Sequence, residues 1–386
     1  MAPLRLNIGA GDVPIDGYTP IDIRHGQAAY PLPYETGSVE AIYASHVLEH
    51  YGIAEAPRVL AEWVRVLRPG GELKIAVPDF ARAARAYQEG DPLAMYYVIG
   101  GQQDEHDHHR SVYDLRTLSD LMRRAGLVGI SRWTSTAKDC AALPVSLNLR
   151  GVKVADCLRD QAKAKRVAAV MSMPRLAFTA NFRAVHSALA AAGVGLTITQ
   201  GVFWGQCLER AITEILDRDR PDYVLTIDYD SVFTLDHVYH LLTLIETTPG
   251  CDALAALQVQ RGTHAAMAWR RDGLRADEFA ADVVYVDDAH FGLTLLRAAR
   301  LADLPHPWFC AAPAPNGTWF DGRLDEDIYF WRKWRRAGNT VGIASRVAIG
   351  HMEPMIVWPS DTEPRGVCVQ TCADYDAMGV PDSARR

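Results

Sequence analysis

Two aspartates, Asp228 and Asp230, stand where the apolar run Tyr223, Val224, Leu225, Ile227 stops. The run reads as a strand. Residues two apart on a strand point the same way, so the two carboxylates share a face. Like charges side by side are costly unless a cation meets them. A hard ion, Mg²⁺ or Mn²⁺, takes oxygen ligands and shares them with phosphates. Downstream, Asp325, Glu326 and Asp327 open a helical stretch, where the helix dipole favours negative charge. His351 closes the strands that follow and is a candidate third ligand.

A second group lies near the N-terminus. Gly9 and Gly11 follow the strand "LRLNIG", and Asp22 ends the next one. Glycines there let backbone approach a ligand closely. A carboxylate at that offset can accept hydrogen bonds from ribose hydroxyls. His46, Glu49 and His50 sit at a strand–helix junction. The two histidines are four apart and could share a helical face. Metal binding is one reading; a cofactor-side wall with a packing histidine is the favoured one. His106, His108 and His109 fall in the polar stretch "QQDEHDHHRSVYDL". Histidine-rich tracts can bind metal, but His106 and His108 read as solvated.

The elements that must position these groups divide the chain. Residues 4–150 alternate strands with helices, including "PRVLAEWVRVL" and "GELKIAVP", with the Arg68–Gly71 break between them. Such alternation predicts a parallel sheet covered on both faces. A polar stretch over 153–165 reads as a linker, and a second α/β pattern runs over 166–360. Residues 361–386 lack periodicity and read as a tail. The fold class expected is α/β, with two Rossmann-like domains.

The first half, taken as domain 1–152, resembles the class I S-adenosylmethionine-dependent methyltransferases of the type-11 kind. The shared features are the glycine loop, the acid Asp22, "YPLPYETGSVEAIYASHVLEHY" and "RVLRPGGELKIAVPDF". The resemblance implies a seven-strand-type sheet and a cofactor over Gly9, Gly11 and Asp22. Tyr30 and Leu32 would lie near the adenine, and Ser45 and His46 near the methionine end. Related methyltransferases carry a histidine at the place of His109, which makes it a candidate acceptor-side or catalytic residue. The loop departs from the usual three glycines, since Asp12 and Val13 follow Gly11. No general base for methyl transfer is evident.

The second half resembles GT-A glycosyltransferases of the family-two-like group, through Asp228-x-Asp230, the pair Glu326–Asp327, Arg332, Ala337–Gly338 and His351. The resemblance implies a metal at Asp228, Asp230 and His351 gripping a UDP- or GDP-sugar. It implies Asp327 as catalytic base, with Asp325 the runner-up. Ser172 and Arg175 would lie at the nucleotide, and Trp308, Phe309 and Trp319 are candidate sugar-stacking rings. A metal neutralises a diphosphate leaving group, and a carboxylate takes the acceptor hydroxyl's proton. The acidic pair heading the helix favours inversion.

Together these imply a bifunctional enzyme that transfers a sugar to a glycan or other hydroxyl acceptor and methylates the product or acceptor. One alternative is a glycosyltransferase with a non-catalytic methyltransferase-like scaffold. Another is phage-type glycosylation of modified nucleobases in DNA. The 386 residues carry a net charge of −7, which disfavours nucleic acid as a partner. No apolar run is long enough to span a membrane, and the N-terminus lacks signal-peptide architecture. Seven scattered cysteines without a CxxC pair point to a reducing, cytoplasmic location. Oligomeric state is not legible.

Overall fold

The computed structural model describes residues 3–102, 106–154, 167–173, 178–201, 203–261, 265–319, 322–353, 355–359, 367–372, 374, 378 and 381. The chain forms two compact units, Met1–Asp160 and Gln161–Arg386. Both are α/β. Residues 155–165 of the stretch read as a linker lie outside the described residues.

The first unit is built on six strands: β1 (Arg5–Ile8), β2 (Thr19–Ile21), β3 (Val39–Ser45), β4 (Leu67–Pro78), β5 (Leu127–Arg132) and β6 (Ser146–Lys153). Their order is β2-β1-β3-β4-β6-β5. The first four run parallel, and β6 is antiparallel to both neighbours. Among the described residues this is one strand fewer than the seven-strand type expected. Residues 27–37 supply no strand of the sheet. They are fastened instead to helix α1 (Ala56–Val66). Trp63 Nε1 donates to Ala29 O at 2.8 Å, Leu32 N donates to Glu62 Oε1 at 3.0 Å, and Arg65 Nη2 donates to Tyr34 O at 2.9 Å.

Helix α1 buries Val59, Leu60, Trp63 and Val64 on one face, the spacing that its sequence presents. The Arg68–Gly71 break turns out to be a register shift inside the long strand β4. Gly71 sits where a Cβ would meet the carbonyl oxygens of Arg68 and Glu40, each at 2.9 Å. Lys153 is buried, and its ammonium donates to the Leu67 carbonyl at 2.6 Å, just past the α1 C-terminus. A cation there satisfies carbonyls that the helix leaves free. Helices α2 (Phe80–Gln88), α3 (Ala94–Ile99) and α4 (Leu115–Arg124) complete the unit.

The second unit holds a seven-stranded mixed sheet. Its early strands are β7 (Val167–Ser172), β8 (Gly195–Thr199) and β9 (Tyr223–Asp228), with β10 (Ser231–Val232) just beyond. Then follow β11 (Ala253–Leu257), β12 (Ala268–Trp269), β13 (Val283–Tyr285), β14 (Asp288–Ala289), β15 (Leu293–Arg297), β16 (Val341–Ala348) and β17 (Gly350–His351). The sheet order is β13-β16-β11-β15-β9-β7-β8, and β10 pairs with β17 separately. Helices α5 (Thr179–Ala192), α6 (Trp204–Asp219), α7 (Leu235–Thr247), α8 (Ala298–Ala302) and α9 (Glu326–Arg336) pack on it. Two further strands, β18 (Met355–Pro359) and β19 (Val367–Thr371), form an antiparallel pair. Part of the stretch read as a tail is therefore paired strand.

Helix α9 is locked by aromatic packing. Phe291, Phe309, Phe330, Trp331 and Trp334 are buried and meet edge-to-face or stacked, with ring centroids 4.9–6.2 Å apart. Trp331 Nε1 donates to Ala289 O. Trp308 and Phe309 belong to this core, only 1% and 4% exposed. They are not available to stack on a sugar, because the space their rings would need at the surface is given to core packing. Trp319 is exposed. Trp331→Ala is expected to destabilise the protein by about 3–5 kcal/mol, as large aromatic truncations in cores do. A urea unfolding curve checks this.

Candidate functional site

The parallel strands of the first unit end at a cleft of about 590 Å³, within the range of small-molecule sites. Gly9, Gly11, Asp22, His46 and His50 line it. Gly9 has φ +67°, and a Cβ on it would collide with the Val47 side chain. Glycine is thus demanded twice, by conformation and by space. Asp22 is 8% exposed. It follows the last residue of β2 and caps a single 3₁₀ turn, accepting from Arg24 N at 2.9 Å through Oδ1 and from Gly11 N at 2.7 Å through Oδ2. Its carboxylate thereby ties the glycine turn to the turn that follows β2. The Tyr30 ring packs against the core, while Ala28 and Ala29 face the cleft. Leu32 is buried in the core, and Ser45 ends β3 with its hydroxyl buried.

His46 and His50 do not share a helical face. His46 takes φ +55°, and only a single 3₁₀ turn, Leu48–His50, follows. His46 Nε2 contacts Ser146 Oγ at 3.0 Å. The Ser146 hydroxyl donates to Asn148 Oδ1, and the Asn148 amide donates to Ala141 O. That chain places a proton on His46 Nε2. Its Nδ1 faces Glu49 Oε1 at 3.2 Å. Glu49 is 1% exposed. Burial opposes its ionisation, but His46 and His50 outweigh burial and hold the carboxyl below the usual range. His109 lies beside His50, with ring centroids 5.0 Å apart. Burial pushes His109 down, against the pull of Glu49. His109 borders a smaller cavity with Phe80, Tyr97 and Val112. His106 and His108 are exposed at the cleft rim.

In the second unit, Ser172 and Asp228 are cross-strand partners at the ends of β7 and β9. Arg175 lies outside the described residues. Asn181, fully buried, donates to Asp228 O at 3.1 Å and Ser231 O at 2.6 Å, which clamps the turn. Burial, then the neighbouring Asp230 carboxylate, push Asp228 up to about 7, with Asp327 adding to the effect. Asp230 is 3% exposed. Pairing of Ser231 with His351 brings the imidazole to Asp230, Nε2 to Oδ2 at 3.3 Å. His351 Nδ1 donates to Val259 O at 2.9 Å, which leaves the lone pair on Nε2.

The sequence reading missed Arg261. Its Nη2 donates to Asp230 Oδ2, and its Nε donates to His351 Nε2 at 3.0 Å. The side chain supplies positive charge between two candidate metal ligands. Nothing in the sequence marks it, because the segment around it has no periodicity.

The acidic triplet splits by role. Asp325 is the α9 N-cap and pairs with Arg323 at 2.6 Å, while Glu326 accepts from Gly205 N at 2.7 Å. Asp327 faces a cavity of about 400 Å³ shared with Asp288, His290, Trp269 and Arg332. Burial raises its pKa. His290 in the same wall has both nitrogens engaged, Nε2 to Ala256 O at 2.7 Å and Nδ1 from Gly292 N at 2.9 Å. Burial pushes it down to about 4, so it remains neutral. Among the described residues, no helix is long and apolar enough to cross a membrane.

Gly9→Ala is expected to distort the turn and abolish binding of S-adenosylhomocysteine, while Gly11→Ala, whose Cβ meets open space, retains more of it despite its positive φ. Titration calorimetry on both variants checks the difference.

Comparison with known proteins bears chiefly on the first unit. Residues 8–75 match a family model described as a methyltransferase domain. No curated protein matches the chain. Among solved structures, the protein A197 from STIV is 15% identical, with 49% of this chain and 86% of that one covered and a TM-score of 0.38. A SAM-dependent methyltransferase from Thermotoga maritima, described as a possible histamine N-methyltransferase, is 19% identical over 39% and 82%, with a TM-score of 0.27. GalNAc-T7 with UDP, GalNAc and Mn²⁺ is 11% identical over 48% and 43%, with a TM-score of 0.34. The segment 8–75, which carries Gly9, Gly11, Asp22, His46 and His50, is thus similar to the methyltransferase-domain family.

Proposed function

We propose that the chain is a two-domain transferase, with S-adenosylmethionine-dependent methyl transfer in residues 1–152 and metal-dependent sugar transfer in residues 166–360. The observation that carries the reading is the convergence of Asp228, Asp230 and Asp327, a strand end and a helix start, close enough for each of the other two to raise the Asp228 pKa. Acids drawn together and largely buried call for compensating positive charge, of which Arg261 supplies one at Asp230. Asp228, Asp230 and His351 offer the oxygen and imidazole donors that suit Mn²⁺ or Mg²⁺. When bound, that ion supplies charge neutralisation to a nucleotide-sugar's diphosphate. Asp327, raised by burial and facing the cavity, would accept an acceptor hydroxyl's proton. Asp325 is committed to Arg323 and the helix cap, which favours Asp327 of the two.

In the first unit, Gly9, Gly11 and Asp22 would hold S-adenosylmethionine, with His46 toward its reactive end. The cofactor supplies an electrophilic methyl group. The match of residues 8–75 to the methyltransferase-domain model supports this half. One observation favours a scaffold reading instead. Asp22 commits one oxygen to Gly11 N and the other to Arg24 N, which leaves fewer lone pairs for a ribose.

A nucleotide-sugar panel with Mn²⁺, scored for donor hydrolysis, tests the second unit. Asp228→Ala is expected to lower turnover by at least ~100-fold, the scale of losing a group that stabilises transition-state charge. It should leave S-adenosylhomocysteine binding intact; full transferase activity in that variant would sink the assignment. The scaffold reading predicts no heat on titrating the wild-type chain with S-adenosylhomocysteine.

A further inference from the structure

Glu49 presents a carboxylate that is 1% exposed, with neither oxygen in a well-aligned hydrogen bond among the described residues. His46 Nδ1 stands 3.2 Å from Glu49 Oε1. Two more imidazoles stand beside it. Glu49, His50 and His109 each offer a ligand atom, and the three atoms lie within 4.8 Å of one another. Ligands on a tetrahedral Zn²⁺ at 2.0–2.1 Å stand about 3.4 Å apart. The set therefore needs to contract by about 1.4 Å at most.

The surroundings of both histidines are those of a ligand pair. His50 Nδ1 can only donate to the His108 carbonyl, 3.2 Å away, so Nε2 carries the lone pair. The Tyr97 backbone carbonyl likewise faces the His109 ring. Metal-bound histidines characteristically spend their second nitrogen this way. The backbone holds the three in place. The Glu49 carbonyl accepts from Arg110 N at 2.7 Å and Ser111 N at 3.1 Å, and His109 N donates to Ile99 O at 3.1 Å. His46, fixed by Ser146, braces the carboxylate from the other side.

We propose that Glu49, His50 and His109 form a binding site for a divalent transition-metal ion of the zinc class, in the wall of the first unit's cleft. Two histidines and one carboxylate are a ligand set that leaves a coordination position open. His50 also lines the cleft, and His109 borders the smaller cavity beside Tyr97. An ion there would supply Lewis acidity that lowers the pKa of an acceptor hydroxyl. That role rests on the methyl-transfer reading; the site itself does not.

The test uses the full chain, stripped with chelator and titrated with ZnCl₂ by calorimetry. Glu49→Gln, His50→Ala and His109→Ala are each expected to weaken zinc binding more than about tenfold. Asp228→Ala is expected to leave that binding intact, which separates this site from the acids of the second unit. X-ray absorption of zinc-loaded wild-type protein should show two imidazoles in the first shell. This measurement decides the matter even if a variant fails to fold. A shell with one imidazole or none, or zinc affinity unchanged in the three variants, overturns the proposal. Zinc binding without S-adenosylhomocysteine binding would sink the methyl-transfer reading and leave the metal site standing.

Discussion

A carboxylate withdrawn from water must be met by a donor or a cation, and both units of this chain are organised around that requirement. Asp22, Glu49 and Asp230 are each at most 8% exposed. Each meets it differently. Asp22 uses two backbone amides, one from the turn it caps and one from the glycine turn. Asp230 uses an arginine and faces a histidine. Glu49 faces imidazoles. Ionised groups of this kind are expensive to bury without compensation, so the loops that carry their partners are fixed by them. The glycine turn, the stretch around His109 and the approach of His351 to Asp230 all follow from that need.

The elements that deliver these groups come from ordinary packing. Parallel strands end on one edge of the sheet, and residues just past those ends gather there whatever their distance in sequence. Helix α9 reaches the same edge in the second unit because Phe330, Trp331 and Trp334 bury completely. Their spacing fixes the rotation of the helix. Asp327 then faces the cavity while Asp325 stays at the cap. The split between neighbouring acids is a matter of helix geometry.

Much of this was legible in the sequence where the signal is local. Gly9, Gly11 and Asp22 lie within a strand–turn–strand, and Asp228 and Asp230 close a strand whose apolar run is unmistakable. Both α/β patterns could be read from periodicity. What could not be read depends on distant segments meeting. Arg261 comes from an irregular stretch that no motif flags. Glu49 and His50 meet His109 only because the 106–111 stretch hydrogen-bonds back onto the turn at Glu49. Trp308 and Phe309 carry no sequence mark that separates a buried ring from an exposed one. The seventh strand, absent among the described residues, is similar. The 27–37 stretch has strand-compatible residues, but Trp63, Glu62 and Arg65 of α1 claim its backbone.

The arginine between Asp230 and His351 has a consequence for the turn it holds. A turn that carries its own counter-ion keeps its shape without an added cation. Any cation drawn to Asp230 would have to displace a partner that stays tethered at high local concentration, and would be held the more weakly for it.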